Sequence, residues 1–214
     1  MNHFLTEARI PYETAIKAGL RDNYAWHQKI WQAFPNKNLE AGEETPTRDF
    51  LTRIDDVNHC FRLLLLSATP PQRPSWCPEP VWRTKEVSEN FLNHQNYQFS
   101  LLANPTIKKV VRDENGQRRK NGRRVAIHKN ADLQNWLQQK ASQHGFEVEP
   151  EKVRLIPQPK TYFIKKGQSG LHQGTDFRGL LKVTDPTLFQ KAFTGGIGPA
   201  KAFGFGLLCL SPAS

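Results

Sequence analysis

The stretch "RDNYAWHQKIWQAFP", residues 21–35, holds the side chains best suited to chemistry. Tyr24, His27 and Trp31 stand at i, i+3 and i+7, which places them on one stripe of a helix. A histidine titrates near neutrality and can take or give a proton, so His27 with Tyr24 one turn away can act on a single reacting centre. The stripe also borders the apolar face formed by Trp26, Ile30, Ala33 and Phe34. A histidine at such a border equally serves as packing or sits in solvent.

Other chemistries find less support. There is no GxSxG, and none of Cys60, Cys77 and Cys209 lies in a catalytic signature. The cysteines show no CxxC spacing and the seven histidines show no HxxxH or HExxH. That argues against a disulfide scaffold and a zinc site, and fits a reducing compartment. Aspartates and glutamates are scattered, with no carboxylate cluster for a metal.

A second stretch, "GGIGPAKAFGFG", places Gly195, Gly196, Gly198, Gly204 and Gly206 in twelve residues around Lys201. It fails the P-loop pattern, because Lys201 follows an alanine and precedes Ala202. It fails the dinucleotide pattern, because Lys201 stands where the third glycine belongs. Both motifs open a helix, whereas this loop closes one. Asp185 is the expected N-cap, Pro186 opens the helix, Leu188, Phe189, Ala192 and Phe193 recur at helical spacing, and Gly195 suits a left-handed C-cap. "FGFGLLCL" then reads as a final strand, only partly matching an RNA-recognition consensus through Lys201, Phe203, Gly204 and Phe205. The loop's backbone comes close to an RNA phosphate, with Lys201 as the charged member, or to the partner domain's helix, or its glycines serve tight packing of the helix-to-strand corner.

These stretches need elements to hold them. A strand is expected over 4–10, the helix from Asp22 to Phe34, and two strands around a turn at Asp55–Asn58. "PPQRPSWCPEP", with five prolines in eleven residues, is irregular, and "VWRTKEVSEN" resumes as a strand. The order then repeats. "YQFSLLAN" is a strand, Asn130–His144 a helix with Leu133, Trp136, Leu137 and Ala141 on one face, and "VRLIPQPKTYFIKKG" and "FRGLLKVTD" are paired strands. Two βαββαβ-like runs imply an α+β protein of two tandem ferredoxin-like (RRM-like) domains, 1–92 and 93–214.

Composition points to the partner. The 214 residues carry a formal charge of +10, which favours a polyanion. Residues 108–124, "KKVVRDENGQRRKNGRR", hold eight basic and two acidic side chains, or six of the ten net charges. Lys108, Lys109, Arg118, Arg119, Arg123 and Arg124 are therefore phosphate-contact candidates as a group, with a disordered tip facing a protein as the alternative for 118–120. A second basic hairpin is expected to carry Arg154, Lys160, Lys165 and Lys166. No apolar run reaches the length of a signal peptide or membrane span, so a cytoplasmic protein without membrane contact is expected.

Taken together, these segments resemble the CasE family of CRISPR-associated endoribonucleases, which process precursor CRISPR RNA in type I-E Cascade. "RDNYAWHQKIWQAFP" looks like the family's YxxHxxLW-type helix, with Ile30 in place of the usual leucine. "RDFLTRID" and "FRLLLLSA" resemble the following strands, "LLANPTIKKV" the segment around an Asn-Pro pair, "GRRVAI" the basic strand, and "WLQQKASQHGF" the second-domain helix. The most specific match is "FRGLLKVTDPTLFQKAFTGGIGPAKAFGFGLLCLSP", although Phe205 departs from the family pattern and Cys209 varies it mildly.

The resemblance implies a fold of two ferredoxin-like domains that bind a repeat RNA hairpin and cut at its 3′ base without a metal or small-molecule cofactor. It implies His27 as the catalytic histidine, Tyr24 as its neighbour, and retention of the product beside other Cascade subunits. The 2′-hydroxyl of RNA would be the nucleophile, with His27 moving one of the two protons. The alternatives are a catalytically silent subunit that only binds the RNA hairpin, and a basic structural protein that meets its assembly through protein surfaces.

Overall fold

The structure is a computed structural model and describes residues 2–35, 49–110, 116–117, 123–165 and 168–213. In the first half, strand β1 (Phe4–Pro11) leads through helix α1 (Tyr12–Lys17) into helix α2 (Asn23–Ile30). A 3-10 turn, Trp31–Ala33, extends α2. Strands β2 (Phe50–Val57), β3 (Cys60–Ser67) and β4 (Trp82–Glu86) complete an antiparallel sheet of order β2-β3-β1-β4. Helix α1 escapes a reading of the sequence because six residues are too few to show periodicity; it buries only Ala15. The β2–β3 turn falls two residues later than "LTRIDDVNH" suggests. Pairing runs on to Val57 opposite Cys60, and Asn58 and His59 make the tight turn with φ of 48° and 62°, the left-handed pair a two-residue hairpin demands.

The second half contains β5 (Asn96–Ala103), β6 (Thr106–Lys109), β7 (Arg123–Ala126), α3 (Asn130–Gln143), β8 (Phe146–Val148), β9 (Arg154–Lys165), β10 (Gln168–Val183), α4 (Pro186–Gly195) and β11 (Leu208–Pro212). Its sheet runs β11-β5-β10-β8, and β9 pairs with the outer part of β10. Counted within each half, both sheets follow the order 4-1-3-2, with helices against one face. The fold is thus α+β with two ferredoxin-like units. The expected pairing of β9 with β10 is present, but three-residue β8 fills the second-strand position. It is too short for its alternation to show. The last strand starts at Leu208 rather than Phe203, because Gly204 and Gly206 adopt φ of 84° and 90°, outside any strand.

Alternation divides the side chains between three cores. Leu63 and Leu65 of β3 pack with Ile10, Trp26 and Ile30 under α2. Tyr97, Leu101, Leu137, Phe177 and Phe189 form the corresponding core of the second half. The opposite faces supply the third: Leu51 and Leu66 meet Phe193 and Leu207 between the two sheets. Among the described residues no helix is long and apolar enough to cross a membrane.

Candidate functional site

Helix α2 begins where Asp22, in extended conformation, turns its carboxylate onto the Ala25 amide at 2.8 Å, which satisfies one of the donors a helix start leaves open. Trp26 and Ile30 are buried and fix the helix's rotation, leaving Tyr24 and His27 half-buried on the adjoining stripe. The Trp31 indole N–H donates to His27 Nε2 at 3.2 Å. A neutral ring accepting at Nε2 carries its proton on Nδ1. Phe50 at the start of β2 stands 6.0 Å from the imidazole and 4.9 Å from Trp31, ring centre to centre. The histidine is thus walled by aromatic rings that restrict its orientation. Such an imidazole can relay a proton, and the Tyr24 hydroxyl, one turn away, can donate a hydrogen bond.

The glycine-rich loop turns back onto the first half of the protein. Gly196 is the C-cap of α4, at φ 73°, and a Cβ there would lie 2.8 Å from Leu51 Cδ2. The left-handed cap is therefore one residue beyond Gly195, which remains the last helical residue and has open space where a side chain would stand. Gly206 donates to the Leu102 carbonyl at 2.8 Å and accepts from the Ile197 amide at 2.9 Å. A Cβ at Gly206 would fall 2.7 Å from the Ile197 oxygen, at φ 90°. Gly198 lies against the Trp136 ring and Gly204 faces the β2 backbone. The Asn23 Nδ2 at the start of α2 donates to the Phe203 carbonyl at 2.9 Å. Among the destinations the sequence leaves open, these contacts reach the first half at β2 and α2 and the loop's own half at Leu102, Ile197 and Trp136, the packed helix-to-strand corner. Lys201 Nζ donates to the Gly195 carbonyl at 2.6 Å, at the end of α4 where the helix dipole favours a cation. Gly206→Ala is expected to destabilise the protein by about 1–3 kcal/mol, read as a lowered urea midpoint. An unchanged midpoint would show that the loop does not hold this conformation.

The basic residues fall on two hairpins. Lys108 and Arg124 are exposed and directly opposed on β6 and β7, an arrangement of like charges that costs stability until an anion offsets it. Lys109 is exposed too, opposite Arg123 on β7. Arg118, Arg119 and Lys166 lie outside the described residues, and Lys165 ends β9. Arg154 and Lys160 are exposed on β9. Lys160 and Tyr162 line a cleft of about 660 Å³ between the halves, together with the start of α2, the adjoining ends of β2 and β3, and Phe203. The fold thus brings Lys160 beside the helix of His27, while Lys108 and Arg124 sit on a separate ribbon. Tyr162, 67% exposed, offers an aromatic face that the sequence reading passed over; its place between Lys160 and Phe163 on an alternating basic strand is the signal that marks it.

The floor of that cleft is an ion-pair network. Arg53 of β2 crosses to β10, where Nη2 lies 2.9 Å from Asp176 Oδ2, and Nη1 donates to Ser100 Oγ at 2.7 Å. Arg53 Nε also bonds Asp55 at 2.8 Å, Arg62 bonds Asp55, and Arg178 bonds Asp176. Burial alone would raise the Asp176 carboxyl and lower the guanidinium. The opposing charges and hydrogen bonds outweigh it, holding Asp176 below the usual carboxylate range and Arg53 above its ordinary value. Among the described residues no group of three histidine, cysteine, aspartate or glutamate side chains is placed to hold a metal.

A family model described as CRISPR associated protein matches residues 3–212. The Cascade subunit CasE of Escherichia coli K12 is 34% identical over 202 residues, spanning 92% of this chain and 95% of that protein. The CRISPR-associated endoribonuclease Cse3 of Thermus thermophilus is 25% identical over 217 residues, spanning 94% and 96%. The structure of Thermus thermophilus Cse3 bound to an RNA representing a pre-cleavage complex superposes with a TM-score of 0.74 at 25% identity, covering 99% of this chain and all of that one.

Proposed function

The chain belongs to the CRISPR associated protein family, and from that premise we propose that it is a metal-independent endoribonuclease that binds the stem-loop of CRISPR repeat RNA. It cuts precursor CRISPR RNA at the 3′ base of the hairpin and stays bound as a Cascade subunit. The names of its relatives, a Cascade subunit and an endoribonuclease seen with RNA, support the assignment. The observation that carries it is the pairing of Tyr24 and His27 on α2, beside the strand that bears Lys160. We divide the chain into 1–92, with the catalytic helix, and 93–214, with the basic hairpins and glycine loop. Its three free thiols suit the cytoplasm.

RNA supplies its own nucleophile. The 2′-oxygen attacks the adjacent phosphorus as its proton leaves, the bond from phosphorus to the 5′-oxygen breaks, and that oxygen gains a proton. The products are a 2′,3′-cyclic phosphate, or the 3′-phosphate it hydrolyses to, and a 5′-hydroxyl. His27 moves one of these two protons, and Tyr24 hydrogen-bonds the phosphate or orients the nucleotide. Transfer at Nε2 requires the imidazole to exchange its bond with Trp31 for one with the RNA. Lys108, Lys109, Arg124, Arg154 and Lys160 neutralise backbone phosphates, and A-form RNA is gripped through shape and phosphates more than through base edges. Lys201 joins this set as the loop's cation, its ammonium held on the Gly195 carbonyl.

The test is cleavage of candidate repeat hairpins in EDTA, with ordinary ribose and with one 2′-deoxy residue before the cut. Cutting is expected in EDTA and should vanish with the deoxy residue. Salt-sensitive binding without cutting would instead establish the catalytically silent subunit. Affinity with no salt dependence would point to the protein-contact reading.

A further inference from the structure

Phe203 joins the two parts of the molecule that the proposed reaction uses. It closes the 3-10 turn Lys201–Phe203, which is bracketed by Ala200 at φ 62° and Gly204 at φ 84°. A non-glycine residue in the left-handed region persists only where its surroundings over-determine it. On one side the Phe203 ring packs against Phe163 of β9 at 4.5 Å and His172 of β10 at 4.6 Å. Phe163 lies flat over Gly170, where any side chain would strike its ring, and stacks on His172 at 15°. The outer part of the basic hairpin is therefore laid down on the glycine loop. On the other side the Phe203 carbonyl accepts the amide of Asn23, the first residue of α2 and immediate neighbour of Tyr24.

We infer that Asn23 is a positioning residue, which through Phe203 sets the place of the catalytic helix relative to the hairpin that holds the RNA. The inference rests on the endoribonuclease reading and adds a residue outside the His27–Tyr24 pair. Trp26 and Ile30 anchor the middle and end of α2 in the first core, while the packing of α2 on the Lys201–Phe203 turn and β9 is non-directional and by itself permits a slide along the interface. Asn23 stops that slide with one directed bond. Errors of about 1 Å in placing a reacting group can cost on the order of a hundredfold in rate, so a small loss of register is expected to appear in the chemical step and not in RNA affinity.

The experiment uses the full chain with a cognate repeat hairpin. Asn23→Ala and Asn23→Asp are expected to lower the single-turnover cleavage rate at least about tenfold, the aspartate because it sets a carboxylate against a carbonyl. The Kd for a 2′-deoxy hairpin should stay within about twofold of wild type, and Tm should stay unchanged. Asn23→Gln, which keeps a donor, should recover part of the rate. Hydrogen exchange at the Ala25 and Trp26 amides should quicken in the alanine variant, a readout independent of cutting. A wild-type rate in Asn23→Ala, equal losses of rate and affinity, a glutamine variant no better than alanine, or unchanged exchange would each overturn the inference. Wild-type protein that fails to cut would instead remove the endoribonuclease reading, and this inference with it.

Discussion

His27→Ala is expected to reduce cleavage of the repeat hairpin by about a hundredfold to ten-thousandfold, the range a positioned general acid or base contributes. Binding of the hairpin should change less than about threefold, because affinity comes from phosphate contacts on other elements. The structure makes this separation credible. His27 lies half-buried among Trp31 and Phe50 at the edge of the first core, whereas the exposed cations sit on β6, β7 and β9. Truncating the imbedded imidazole also removes the acceptor of the Trp31 indole bond. His27→Gln offers a polar side chain to that indole and separates loss of proton transfer from loss of packing. Both variants should cut poorly. Cutting by either at the wild-type rate would refute the role assigned to His27.

The second large effect concerns stability. Arg53→Met is expected to cost about 3–5 kcal/mol, the usual penalty for removing one partner of a buried pair. For a chain of this size that is a fall in Tm of roughly 10 °C. The reason is the orphaned Asp176 carboxylate, only 1% exposed and left with Ser100 and Arg178. Arg53→Met combined with Asp176→Leu should recover much of the loss, since an apolar pair of similar volume often replaces a buried ion pair at little cost. The sign with pH follows from the depressed Asp176 pKa. Its stabilisation is present above the unfolded value, near about 3.9, and is lost as pH falls through the lower folded value. Wild type should therefore lose more stability on acidification than the double variant. Thermal melts between about pH 6 and pH 3 check both points, and a single variant melting within about 2 °C of wild type would show that the network does not fasten the two sheets.

The elements that carry short-range signals were legible. Asp22 and Asp185 cap the helices the sequence marks, Leu133, Trp136, Leu137 and Ala141 form the buried face of α3, and the strands of the first half fall in the expected order. The misses were short elements and positions set by backbone angles. Helix α1 and strand β8 are too short to show a period, and the turn at Asn58–His59 rests on backbone angles that "DDVNH" does not reveal.

The candidate site divides in the same way. Tyr24 and His27 could be placed on one stripe from their spacing alone, because helical geometry relates residues three apart without reference to the rest of the chain. The destination of the glycine loop could not. The loop joins Asn23 to Phe203 across 180 positions, and the sheets join Arg53 to Asp176 across 123, and nothing in the intervening sequence encodes such pairings. Arginine at 53 could pass for one more surface cation until β2 is laid against β10, and nothing local to Lys201 shows that it bonds the last carbonyl of α4. The sequence by itself determined which residues could move protons, which segments are basic, and where the longer strands and helices lie, since these depend on side-chain chemistry and local period. Only the tertiary structure decided which cation reaches the helix of His27, which are consumed in holding the sheets together, and what the glycines approach. Those outcomes depend on desolvation and on contacts between distant segments, which exist only once the two sheets have met.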